Sequence, residues 1–142
     1  MTDRYFLDTN IFVYSVDKSS PAKAERASQL IRDALTEGRG LVSYQVVQEF
    51  FNVALNRFAR PLAPAEAEQY LTTIFKPLLA VHSSVALCGE ALRLVSRYRL
   101  SWYDSLIVAA AIESRCQILY TEDLQHGQRI ADLHIQNPFW TA

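Results

Sequence analysis

The chain has 142 residues, half of them hydrophobic and a fifth charged, with a formal net charge of −1. Those values fit one globular domain over residues 1–142, exclude a disordered chain, and leave no apolar run near the ~18 residues a membrane span needs. They also lack the global basic excess typical of nucleic-acid binders, so affinity for a polyanion must come from a local patch or from cations held in an acidic pocket.

Tyr5-Phe6-Leu7 reads as a short buried strand that ends on Asp8, with the helix after it expected from Ile11. Ser20-Pro21 starts a helix, with serine as N-cap and proline in the first turn, and Gly38 ends it. Gly40–Ser43 is a second strand. The apolar spacing of Val46, Val47, Phe50, Phe51, Ala54 and Phe58 predicts a helix over Tyr44–Arg60, stopped by Pro61. Pro64 opens another helix, expected to fade at Lys76-Pro77 before a strand over Leu78–Val81. Helices from about Ser84 to Arg97 and from Ser101 onward follow, then a strand at Gln117–Tyr120 and a short one at Leu133–Ile135. Strands alternating with helices imply crossover connections. The expected fold is therefore α/β, a three-layer α/β/α sandwich with a mostly parallel central sheet.

In such a sheet the ligand site lies at the carboxyl ends of the strands. Asp8 ends the first strand, and Asp123 follows the QILY strand within three residues. Each also has an ordinary reading as a helix cap or loop acid. Asp104 completes an S-x-x-D pattern with Ser101, an aspartate form of the capping box. It also shares a helical face with Ile107, Val108 and Ala111, which aims it along a buried stripe. Glu49 borders the apolar stripe of its helix, where most glutamates reach solvent. Glu122, beside Asp123, leaves open which of the two is the fourth acid.

If these acids converge, they repel one another and raise each other's pKa values, a penalty that a divalent cation removes. An all-oxygen set points to Mg²⁺ or Mn²⁺ over zinc or copper, and His82, His126 and His134 have no metal-ligand spacing. Cys88 and Cys116 are too few for a disulfide framework or a CxxC-type zinc site. The N-terminus MTDRYFLDTN shows no basic stretch leading into an apolar one, so a cytoplasmic location is expected.

The segments FLDTNIFVY (Phe6–Tyr14), SYQVVQEFFNV (Ser43–Val53), WYDSLIVAAA (Trp102–Ala111) and LYTEDLQHG (Leu119–Gly127) resemble, in order and spacing, the PIN-domain nucleases. Within that family the chain is most similar to the VapC-like toxins of toxin–antitoxin pairs. The resemblance implies a Mg²⁺- or Mn²⁺-dependent endoribonuclease with Asp8, Glu49, Asp104 and Asp123 as its acidic, metal-binding residues. It gives Thr9 and Asn10 the positions after the first acid, with Asn10 orienting that acid or a bound water, and Thr121 a hydroxyl position that steadies the fourth. Ser43 and Gln45 take supporting roles. The implied partners are an RNA substrate, a cognate antitoxin and a second copy of the chain. Metal-activated water as nucleophile implies 5′-phosphate and 3′-hydroxyl ends.

Arg57 and Arg60, with Arg97 and Arg99, are candidate phosphate contacts, although exposed arginines are more often plain surface. The aromatic residues Phe50, Phe51, Phe58, Tyr70 and Phe75 are core side chains or the lining of a partner groove. The competing functions are a PIN nuclease of RNA processing without an antitoxin, and a non-catalytic module whose acids hold a structural ion or serve as caps. A receiver-like phospho-acceptor is disfavoured, because no lysine stands near a late strand.

Overall fold

The computed structural model describes residues 3–141. Its strands are β1 (Tyr5–Leu7), β2 (Gly40–Ser43), β3 (Leu79–Val81), β4 (Ile118–Tyr120), β5 (Arg129–Ile130) and β6 (Leu133–Gln136). They form one sheet in the order β3-β2-β1-β4-β6-β5, parallel throughout except for the antiparallel β5–β6 pair. The helices are α1 (Thr9–Val16), α2 (Pro21–Glu37), α3 (Tyr44–Asn56), α4 (Pro64–Tyr70), α5 (Lys76–Leu78), α6 (Val85–Tyr98) and α7 (Trp102–Glu113). The fold is the expected one, a mostly parallel sheet flanked by helices. All three residues of β1 are buried, as a central parallel strand covered on both faces requires.

The core gathers Phe6, Phe12, Phe50, Phe75, Leu119 and Ile135, all fully buried. Phe50 stacks on Tyr70 with centroids 4.7 Å apart, and Phe75 meets Phe50 edge-on at 5.2 Å. Among the aromatics read as core or groove, Phe50, Phe58 and Phe75 are therefore core, and Phe51 and Tyr70 pack half-buried against it. Where α2 crosses β2, a side chain at position 40 would put its Cβ 2.3 Å from that of Ala34, so the approach requires Gly40.

Several boundaries differ from the sequence reading, the larger ones for local reasons. Helix α1 begins at Thr9 instead of Ile11, because Asp8 itself caps it by accepting from the Thr9 N–H at 2.7 Å. Helix α3 stops at Asn56, short of Arg60. The chain folds back there, with the Leu62 N–H donating to the Ala54 carbonyl at 3.0 Å and Phe58 turning inward. The helix from Pro64 ends at Leu78, next to the expected Lys76-Pro77. A π-helical turn over Leu71–Phe75 carries it into α5, where Pro77 sits in a first turn that needs no N–H from it. The strand over 78–81 accordingly starts at Leu79. Strand β5 was not anticipated. Among the described residues, no helix is long and apolar enough to cross a membrane.

Candidate active site

The topology creates one privileged edge. From β1 the chain builds β2 and β3 outward on one side, then crosses back to place β4 on the other. The sheet order thus reverses between β1 and β4, and the carboxyl ends of those strands border the crevice where open α/β sheets bind ligands. The register pairs Leu7 with Tyr120, so the next residues, Asp8 and Thr121, emerge side by side.

Asp8 is buried, with 5% of its surface exposed. Its Oδ2 accepts from the Thr121 hydroxyl at 2.7 Å and its Oδ1 from the Thr9 N–H at 2.7 Å. Thr121 in turn accepts from the Asp123 N–H at 3.1 Å. The hydroxyl expected to steady the fourth acid thus grips the first acid through its side chain and the fourth through the backbone. Thr9 works both ways as well, since its hydroxyl donates to Glu49 Oε1 at 3.1 Å. Asn10 does not reach Asp8. Its amide donates to Asp123 Oδ1 at 3.2 Å, so the carboxylate it holds is the fourth acid's and not the first's.

Glu49 comes from α3, half-buried, and is also held by the Gln45 amide at 3.3 Å, whose second partner is the Tyr103 carbonyl at 3.2 Å. Asp104 stands half-buried in the first turn of α7. Ser101 accepts from the Asp104 N–H at 3.2 Å, but among the described residues the carboxylate returns no hydrogen bond, so the capping box is only half made. Capping therefore does not account for the Asp104 side chain.

The electrostatics tie the four together. Burial pushes the Asp8 carboxyl up to about 7 against the pull of its Thr121 and Thr9 hydrogen bonds, and the charges of Asp123 and Glu49 add to the rise. Glu49 is raised by burial and by Asp104 and Asp123, and Asp123 by burial and by Asp104 and Glu122. Among the described residues the salt bridges are Lys23–Glu122, Arg39–Glu37 and Arg93–Glu90, so none relieves this group.

Glu122 faces elsewhere. Lys23 holds it at 3.0 Å and the Tyr14 hydroxyl donates to it, while the Lys23 ammonium lies 4.7 Å from the Tyr14 ring centroid. This geometry turns Glu122 away from the crevice and leaves Asp123 to face Asn10. Sequence reading missed Lys23 and Tyr14, and no periodicity links a lysine in α2 to a glutamate ninety-nine residues later. Arg57 and Arg60 are not brought to the acids. Arg57 lies two turns past Glu49, roughly 12 Å along the helix axis, and Arg60 lines a separate cleft with Val16 and Asp17.

Among the described residues, no three His, Cys, Asp or Glu side chains are gathered as ready-made ligands. Magnesium does not require such a set, since it keeps several waters and uses one or two carboxylates. A buried, cation-free carboxylate among three further acids, with only oxygen donors at hand, is a donor set that suits a hard divalent ion.

Comparison with known proteins places the chain. The PIN domain family matches residues 5–132. The chain belongs to that family. No curated protein matches it. Among solved structures, a toxin–antitoxin complex from Klebsiella pneumoniae is similar at 18% identity and a TM-score of 0.65, covering 95% of this chain and 98% of that one. Mycobacterium tuberculosis VapC20, a sarcin–ricin loop cleaving toxin, is similar at 21% identity and a TM-score of 0.61 over 84% of this chain and 89% of that one. DNA-bound VapBC from Salmonella typhimurium gives 20%, 0.65, 95% and 98%. At these identities the shared property is the fold.

Within this PIN domain the doubly bonded Thr121 is open to direct test. Thr121→Ala is expected to lower the apparent affinity for a divalent cation about 10–100-fold, the usual cost of losing a group that orients a ligand. Thr121→Ser, which keeps the hydroxyl, should recover most of it. Calorimetric titration of the two variants checks this, and equal losses would remove the hydroxyl from the account.

Proposed function

We propose that this chain is a Mg²⁺- or Mn²⁺-dependent endoribonuclease, the toxin of a toxin–antitoxin pair. The observation that carries the reading is the buried Asp8 at the β1–β4 switch point, raised by burial and by neighbouring acids and, among the described residues, paired with no cation. Asp8, Glu49, Asp104 and Asp123 would hold the ion. When bound, it supplies a water of lowered pKa as nucleophile and offsets the negative charge of the scissile phosphate. The chain's own groups aim the carboxylates. Thr121 and Thr9 fix Asp8, Thr9 and Gln45 fix Glu49, and Asn10 fixes Asp123. Positive potential at the site then comes from the ion, which is how a mildly acidic protein attracts RNA. Family membership and a fold shared with toxins from toxin–antitoxin complexes support the toxin role and an antitoxin partner, and a homodimer is part of the same proposal.

Purified protein incubated with RNA and Mg²⁺ or Mn²⁺ is expected to leave 5′-phosphate and 3′-hydroxyl ends, read by sequencing, and to stop on adding EDTA. Cyclic 2′,3′-phosphate ends would overturn water as the nucleophile. No metal-dependent cleavage of any RNA would leave the non-catalytic module as the better description.

A further inference from the structure

Beside the acids lies a small cavity of about 120 Å³, between the start of α3, the loop after β3 and the first turns of α6 and α7. Gln45 and Tyr103 line it, and Gln45 is the residue that donates to Glu49, so the cavity adjoins the acidic crevice. Ser43, at the carboxyl end of β2, contributes the second observation. It is 3% exposed and occupies the N-cap position of α3, yet its hydroxyl caps nothing and has no hydrogen-bond partner among the described residues. A buried hydroxyl without a partner costs on the order of 1–3 kcal/mol.

The lining decides the class of ligand. No Lys, Arg, Asp or Glu is among the cavity's residues, so a phosphate or a metal finds no counter-charge there. Three rings stand at its mouth, with Tyr44, His82 and Tyr103 all exposed and Tyr44 and His82 6.0 Å apart at 34°. The volume is well under the ~300 Å³ at which drug-sized pockets begin, which restricts it to one flat ring system. Exposed aromatics for stacking, with side-chain amides and hydroxyls for an edge, are what reads an unstacked base in single-stranded RNA.

We infer that this cavity takes one nucleobase of the RNA strand, next to the phosphate at the acids, and so sets which base flanks the cut. The inference rests on the nuclease reading, but its test does not. The base stacks on Tyr103 and the Tyr44–His82 pair, while Gln45 and Gln48 meet its edge. Both Gln45 amide hydrogens are already given to Glu49 and the Tyr103 carbonyl, so Gln45 offers the base only its accepting oxygen, and the four bases bind unequally according to their donor–acceptor pattern.

The probes are the four free nucleosides, titrated into the full-length isotope-labelled protein in EDTA. One or two of them are expected to shift the Gln45 and Gln48 side-chain amides and the Tyr103 ring signals. Tyr103→Ala and Gln48→Ala, both at exposed positions, are expected to weaken that binding roughly tenfold, as lost base stacking does. Sequenced ends from random-sequence RNA should show a base preference at one position beside the cut, flattened in Gln48→Ala. Nucleoside binding at these residues without cleavage of any RNA would overturn the nuclease reading and leave the subsite standing. Cleavage with no nucleoside shift here, and with an unchanged flanking preference in both variants, would overturn the subsite.

Discussion

Replacing Asp8 by Asn is expected to do two opposite things: abolish cleavage and make the metal-free protein more stable at pH 8. Loss of activity should exceed the ~10–100-fold that removal of an orienting group costs, because Asp8 is the most buried of the four acids and would be a ligand itself. The gain in stability follows from the raised carboxyl. Unfolded, Asp8 ionises near pH 3.9, whereas folded it holds its proton up to about 7. Between those values the unfolded chain has released a proton that the folded chain keeps, so wild-type stability falls as pH rises through the window and stays low above it. Asparagine carries no such term. The difference between variant and wild type should be near zero at pH 4 and reach a few kcal/mol above pH 7, at ~1.4 kcal/mol per pKa unit.

Urea unfolding in EDTA at pH 5 and pH 8 reads the sign directly. A variant less stable than wild type at pH 8 would mean that the lost charge-assisted bonds outweigh the relief of burial. Asp104→Asn separates the two effects. Its carboxylate is half-buried and, among the described residues, makes no hydrogen bond, so cleavage should fall as far while stability changes little.

How much of this site was legible follows from the kind of signal each residue leaves. Asp8 was readable because a strand, a polar break and a cap follow one another in five residues. The helix spacing that placed Asp104 beside Ile107 and Val108 likewise survives into the structure, where both neighbours are buried. What the chain does not encode locally is direction across the crevice. Asn10 is two residues from Asp8, yet its amide spans to Asp123, and Thr121 serves the first acid as well as the fourth. Those assignments depend on the β1–β4 register, which only tertiary packing fixes. Strand β5 was hidden for a related reason. Two residues show no period, and its turn into β6 places Ala131 at φ 52°, without the glycine or asparagine that normally marks such a hairpin. The π-helical turn was equally silent, and Phe75 at its end packs against Phe12 and Phe50, partners far away in sequence.

Divalent cations should then reverse the pH trend. In EDTA the acids oppose folding increasingly as pH rises, since Asp8, Glu49 and Asp123 all have raised carboxyls. With Mg²⁺ or Mn²⁺ present, those same deprotonated groups become ligands, and binding competes with protons for them. The melting temperature is therefore expected to rise with added cation more at pH 8 than at pH 6. A concentration of about 100 times Kd corresponds to ~2.7 kcal/mol, or roughly 10 °C for a domain of this size. Monovalent salt at matched ionic strength should give only a small part of that rise, because a hydrated monovalent ion neither bridges carboxylates nor matches the charge density. Asp8→Asn should lose most of the cation-induced rise while starting from the higher metal-free baseline at pH 8. The two curves, wild type with metal and variant without, would then converge from opposite directions. Equal shifts at pH 6 and pH 8, or an undiminished shift in the variant, would place the cation somewhere other than on these carboxylates.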